Sequence, residues 1–165
     1  KASVKQTAIV QIKYTLSGQT TPVVKTYSKE YTSTTDGTLT AISALAIPEI
    51  SLTGTAVQKV DVYVKVPTSL MKKIGTVDLK RSVTTPLVST VVLPVGDFKR
   101  EPATEANVIK LNDLALALTQ YKQLVNPLTD ANRVYDVDFN GVFNLQDIGL
   151  VVTNFERLEY PGDKP

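Results

Sequence analysis

The chain has 165 residues, 18 of them basic and 16 acidic, with a net charge of +2 and neither cysteine nor histidine. Opposite charges are interspersed without a polybasic stripe, and no apolar run approaches the ~20 residues that span a bilayer, so nucleic acid and membrane insertion are not expected. The missing residue types exclude disulfides, thiolate nucleophiles, Fe–S and Cys-type zinc sites, Ser-His-Asp constellations and any imidazole base.

From Thr7 to about Leu93 apolar and polar residues alternate with period two, as half-buried strands require. Ala8, Val10, Ile12, Tyr14 and Leu16 fall on one face, with Gln11, Lys13 and Thr15 on the other, and Ser17-Gly18 then turns the chain. Asp36-Gly37 is a second turn, leading into a strand at Thr38 to Thr40. Val60, Val62, Val64 and Val66 repeat the alternation until Pro67, which cannot donate to a ladder, ends it. Gly75 to Leu79 and Leu87 to Leu93 complete the set. Short strands rich in valine and threonine, separated by regular turns, predict an all-β immunoglobulin-like sandwich over residues 1–95.

After Gly96-Asp97 the period becomes helical, and with no Gly/Ser-rich linker a second, small all-α domain over residues 96–165 is expected to pack directly on the first. Leu111 to Leu124 and Leu145 to Leu158 predict two helices, Asn126-Pro127 breaks the first, and Thr129 to Val134 is a candidate for a short one between them. Asp136 to Asp147 reads D-V-D-F-N-G-V-F-N-L-Q-D, with side-chain oxygens at positions 1, 3, 5, 9 and 12 and glycine at 6. Ca²⁺ takes about 6–8 oxygens, so a loop around it aims alternate residues inward and turns sharply midway. Asp136, Asp138 and Asn140 supply the alternation and Gly141 the turn. Val142 offers a backbone carbonyl, Asn144 a place for a bridging water, and Asp147 closes the shell.

Setting Asp113 over Asp147 aligns V-I-K-L-N-D-L-A-L-A-L-T-Q-Y with V-F-N-L-Q-D-I-G-L-V-V-T-N-F, an internal duplication in which chemical class repeats. Leu114, Ala117 and Tyr121, with Ile148, Val151 and Phe155, make the expected core stripe. A second stripe is also apolar or small, carrying Leu111, Ala115, Leu118 and Thr119 in one copy and Leu145, Gly149, Val152 and Thr153 in the other. One small core does not bury both, so this stripe, with Asn112 and Gln146 beside it, is expected to await a partner.

These residues resemble a cellulosomal dockerin of type II behind an X-module. The likeness is carried by G-D-F at 96–98, I-K-L-N-D-L at 109–114 and D-V-D-F-N-G-V-F-N-L-Q-D-I at 136–148, with a looser likeness over 60–97. The resemblance implies duplicated F-hand calcium loops, an X-module that stabilises the dockerin, and calcium-dependent binding of a cohesin module through the second stripe. The first repeat departs from the pattern: Asp97 stands at position 1 and Asp113 at position 12, five residues further apart than a twelve-residue loop allows. If the excess at Lys99 to Ala106 loops out, Asp97, the Val108 carbonyl and Asp113 converge, with Glu105 or Asn107 filling in, and two Ca²⁺ ions are expected.

The resulting expectation is a non-catalytic, extracellular, cell-surface-associated assembly module, a segment of a longer scaffoldin, with a type II cohesin as partner. Glu30, Glu49, Glu101 and Glu105 offer no spacing that sets two carboxylates across a cleft, which argues against a glycosidase. The alternative is a calcium-stabilised carbohydrate-binding or adhesion module using Tyr27, Tyr31 and Tyr63 of the β half, although packing is the simpler role for these rings.

Overall fold

The alternation beginning near Thr7 becomes an eleven-residue strand, β1 (Val4–Tyr14), paired antiparallel along its whole length with β2 (Val23–Ser33), Val4 opposite Ser33 and Tyr14 opposite Val23. Gly18, at φ +80°, turns the chain between them. β3 (Leu39–Ala41) extends the β2 edge, while β4 (Val57–Lys65) and then β5 (Lys72–Lys80) extend the other, giving one antiparallel sheet in the order β3-β2-β1-β4-β5. This computed structural model describes residues 4–33, 39–41, 44–48, 50, 52–53, 56–86, 92–98, 107–121, 125–129, 132–155 and 162–165.

Ala8, Val10, Ile12 and Tyr14 are buried with Val60, Val64 and Val66 in two adjoining clusters. Tyr27 and Tyr31 pack against these clusters, one against each. A register irregularity between Val62 and Tyr63 breaks the strict alternation of β4 and buries Tyr63 next to Val64.

The sandwich-plus-helical-domain architecture does not hold. A sandwich needs two facing sheets, and the described N-terminal residues form a single sheet. Its apolar clusters are closed by irregular chain at Leu45, Ile47, Ile50 and Leu93, and by Phe139 from the C-terminal region. Alternation reports which residues share a face and is silent on what covers it. Of the strand expected at Leu87 to Leu93, residues 87–91 lie outside the described residues, and Val92 and Leu93 belong to no strand. Asp36-Gly37 and Thr38 also lie outside them.

The C-terminal region is not all-α either. Its described residues hold two short helices, α1 (Leu111–Gln120) and α2 (Leu145–Phe155), with a two-stranded ladder of β6 (Val125–Pro127) and β7 (Val142–Asn144) between them in sequence. Of the candidate short helix at Thr129 to Val134, residues 130–131 lie outside the described residues, and a 3-10 turn spans Arg133–Tyr135. The described chain as a whole is mostly β. No described helix is long and apolar enough to cross a membrane.

Backbone and side-chain bonds tie the sheet to the helices. The Thr68 carbonyl accepts the Gly96 and Asp97 N–H groups at 2.7 and 3.1 Å, Leu70 N–H donates to the Pro94 carbonyl at 2.7 Å, and Asn154 Nδ2 donates to the Val95 carbonyl at 2.8 Å. Gly96 sits at φ +123° with a Cβ position only 3.1 Å from Val151 Cγ1, so the chain passes α2 there without room for a side chain.

Candidate metal centre

The 3-10 turn delivers Asp136, and two left-handed residues, Phe139 at φ +55° and Gly141 at φ +92°, fold the chain back over it. Asp136 Oδ1 accepts the Asn140 N–H at 3.0 Å and Oδ2 the Gly141 N–H at 3.0 Å. Asp138 accepts the Asn140 backbone N–H at 3.0 Å and its side-chain amide at 2.7 Å, and Asn140 Oδ1 accepts the Val142 N–H at 3.0 Å. Asp147, in the first turn of α2, reaches back: Oδ1 accepts Val137 N–H at 2.8 Å and Oδ2 accepts Asn144 N–H at 2.9 Å. Asn144 Oδ1 caps α2 by accepting Gln146 N–H at 2.6 Å, while the Asp147 carboxylate takes the Asn144 N–H.

This frame holds one carboxylate oxygen from each of Asp136, Asp138 and Asp147 within 4.8 Å of one another, with Asp136 and Asp147 buried. Burial pushes the Asp136 carboxyl up to about 6, with the charges of Asp147 and Asp138 adding to the rise against the opposing Gly141 N–H bond. Burial raises Asp147 as well, helped by Asp138. Three carboxylates in so small a space are a group able to hold a metal ion, because a cation removes both the repulsion and the desolvation cost of their charge. The donors are all oxygen, which suits a hard ion.

The first repeat keeps the same frame. Asp113 Oδ1 accepts Phe98 N–H at 2.8 Å and Oδ2 accepts Lys110 N–H at 2.8 Å, reproducing the two bonds of Asp147. Asp97 Oδ2 accepts Asn107 N–H at 3.1 Å, as Asp136 does from Gly141, and Asn107 is left-handed at φ +67°. Asp97 and Asp113 therefore occupy positions 1 and 12, Asn107 the place of Gly141 and Val108 that of Val142. The extra length falls within residues 99–106, which with Glu105 lie outside the described residues.

Its charge balance is different. Lys65 Nζ, from the end of β4, lies 2.5 Å from Asp97 Oδ2, the two side chains being 12% and 1% exposed. Asp97 Oδ1 is buried with no hydrogen-bond partner among the described residues. The structure thus brings Asp97 and Asp113 into one loop frame, but among the described residues it groups three acidic donors in the second loop alone. Neither Lys65 nor the tie of Phe139 to the sheet was foreseen. Asn107 had a local signal, since asparagine is the residue after glycine that visits the left-handed region most readily.

Of the residues expected to meet a partner, Leu111, Leu118 and Leu145 are 63%, 50% and 55% exposed, and Asn112, Ala115, Thr119, Gln146, Gly149 and Thr153 are exposed with them. Thr119 and Thr153 occupy equivalent places and make equivalent bonds, each hydroxyl donating to the carbonyl four residues back, Ala115 at 2.8 Å and Gly149 at 2.9 Å. Val152 is the exception. It lies half-buried against the cluster of Ala117, Tyr135, Phe143 and Ile148, one turn beyond Ile148 on the inward side of α2. Leu116 and Leu150, a further equivalent pair on neither expected stripe, are exposed and widen the apolar surface.

Comparison with protein-family models, with curated proteins and with solved structures returned no match to this chain.

Proposed function

We propose that this chain is a non-catalytic assembly module in which Ca²⁺ in the Asp136–Asp147 loop orders the helix pair, and the exposed face of that pair docks on a cohesin-type partner, as the likeness to type II dockerins implies. The observation that carries the reading is the repeated exposure of equivalent residues. Leu111 with Leu145, Leu116 with Leu150, Ala115 with Gly149 and Thr119 with Thr153 all face solvent in both copies. Large apolar residues repeated on one surface are a liability in a solitary module and an anchor in one that binds.

Calcium, on this reading, is structural. Without it the carboxylates of the second loop repel one another, and the loop that leads into α2 loses its frame. Through its attachment to a scaffoldin outside the cell, the module would join polysaccharide-degrading components to a surface anchor.

The test is to mix the full chain with cohesins of both types, with calcium and with chelator, and follow complex formation by size-exclusion chromatography and calorimetry. A complex that forms with calcium and dissolves in chelator is the expected result. No complex with any cohesin, together with retardation of the chain on insoluble polysaccharide, would instead favour a carbohydrate-binding role for the sheet.

A further inference from the structure

We infer that the chain binds a single divalent ion, and that the Lys65 ammonium is the built-in counter-charge with which the first loop closes without a metal. The inference rests on the cation reading of the Asp136–Asp147 loop and makes the opposite assignment for its twin.

The described ends of the two loops share three hydrogen bonds, and what distinguishes those ends is charge. In the second loop no ion pair among the described residues involves Asp136, Asp138 or Asp147, and the three charges face one another unbalanced. In the first loop the position-1 carboxylate is already paired, by an ammonium nearly as buried as itself. Counted back from Asp113, Lys110 stands at position 9, where the second loop has Asn144. One oxygen donor has thus become an ammonium. A hard divalent ion collects oxygens, and here, among the described residues, it would meet an ammonium already seated on Asp97 and a lysine where the second loop offers a side-chain oxygen.

The sheet also supplies a scaffold that an ion would otherwise provide. Lys65 reaches Asp97 from the end of β4, the Thr68 carbonyl takes the N–H groups of Gly96 and Asp97, and the Asn107 side-chain carbonyl accepts the Met71 N–H just before β5. Both flanks of the first loop are anchored to the end of β4 and the connection that follows it. Asp97 Oδ1, buried and without a hydrogen-bond partner among the described residues, is the atom against which a second ion would have to sit.

The experiment uses the full chain, stripped with chelator, exchanged into metal-free buffer and titrated with CaCl₂, with bound ions counted by equilibrium dialysis and native mass spectrometry. One ion per chain is expected, lost in Asp136→Asn. At saturating calcium Lys65→Met is expected to melt several degrees below the wild type, and Lys65→Arg to recover the loss. Two ions in the wild type, or one that survives Asp136→Asn, overturns the inference while leaving a calcium module in place. No bound ion overturns the reading of the second loop itself. The wild-type count depends on no variant folding.

Discussion

Removing the divalent ion is expected to invert the pH dependence of stability between about pH 4 and pH 7. In the ion-free protein the Asp136 carboxyl titrates at about 6 against an ordinary 3.8 in the unfolded chain. A carboxyl raised on folding penalises the folded state only when it is charged. The penalty is absent below about pH 4, grows as pH rises and is complete above about 6. A rise of about two pH units is worth ~3 kcal/mol at most. With Asp138 part-exposed and counter-ions free to gather at the loop, about 2 kcal/mol is the expected loss. For a chain of this length that corresponds to a drop of about 4–8 °C in melting temperature. Asp147 shifts in the same direction and adds to the loss. Asp61, held below its ordinary value by hydrogen bonds from Lys73 and Thr76, acts in the opposite sense. Its contribution is present above 3.8 and lost only as pH falls further, outside this window. With calcium saturating, protons and ion compete for the same oxygens, so stability rises over the window instead. Thermal melts followed by circular dichroism at 222 nm, on metal-free and calcium-loaded protein at half-unit steps from pH 4 to 7, give the two curves. Parallel curves, or a metal-free curve that climbs, would refute the placement of three competing carboxylates in one buried loop.

Phe143 is fully buried, its ring 5.5 Å from Tyr135 and 6.0 Å from Tyr121, so Phe143→Ala is expected to cost about 3–5 kcal/mol in urea denaturation. Gly149→Ala places a Cβ in open space within α2 and is expected to raise stability by about 0.5–1 kcal/mol while weakening a partner that approaches that backbone closely. The same melts and calorimetry check both halves. Leu118→Lys, at an exposed site near the C-terminal end of α1, should leave stability within about 0.5 kcal/mol, yet cost at least ~2 kcal/mol in partner binding measured by calorimetry. An unchanged affinity would remove the helical face from the proposed interface. Val152→Asp, by contrast, is expected to lower the melting temperature, because that side chain packs on the Ala117–Phe143 cluster.

The grouping of Asp136, Asp138 and Asp147 could be read from the sequence because its parts are near neighbours: twelve consecutive positions carry the carboxylates and the turn glycine, and local backbone bonds suffice to gather them. Both helices and the long first strand were legible for the same reason, since a period of 3.6 or 2 is a property of adjacent residues. The helix ends were less so. α1 stops at Gln120, where Tyr121 turns to extended backbone, well short of the Leu124 that its helix-forming composition suggested.

Longer-range choices left no such mark. Lys65 and Asp97 are separated by 32 residues and Met71 and Asn107 by 36, and nothing near any of them in the chain announces the pairing. Whether the sheet would meet a second sheet or irregular chain depended on which distant apolar residues reached its face first. Leu45, Ile47, Ile50 and Phe139 took that place. Secondary structure and the loop answer to torsional preference and short-range hydrogen bonds, which neighbouring side chains impose. The covering of an apolar face is settled by competition among every segment able to reach it, and a burial energy proportional to area carries no memory of sequence distance.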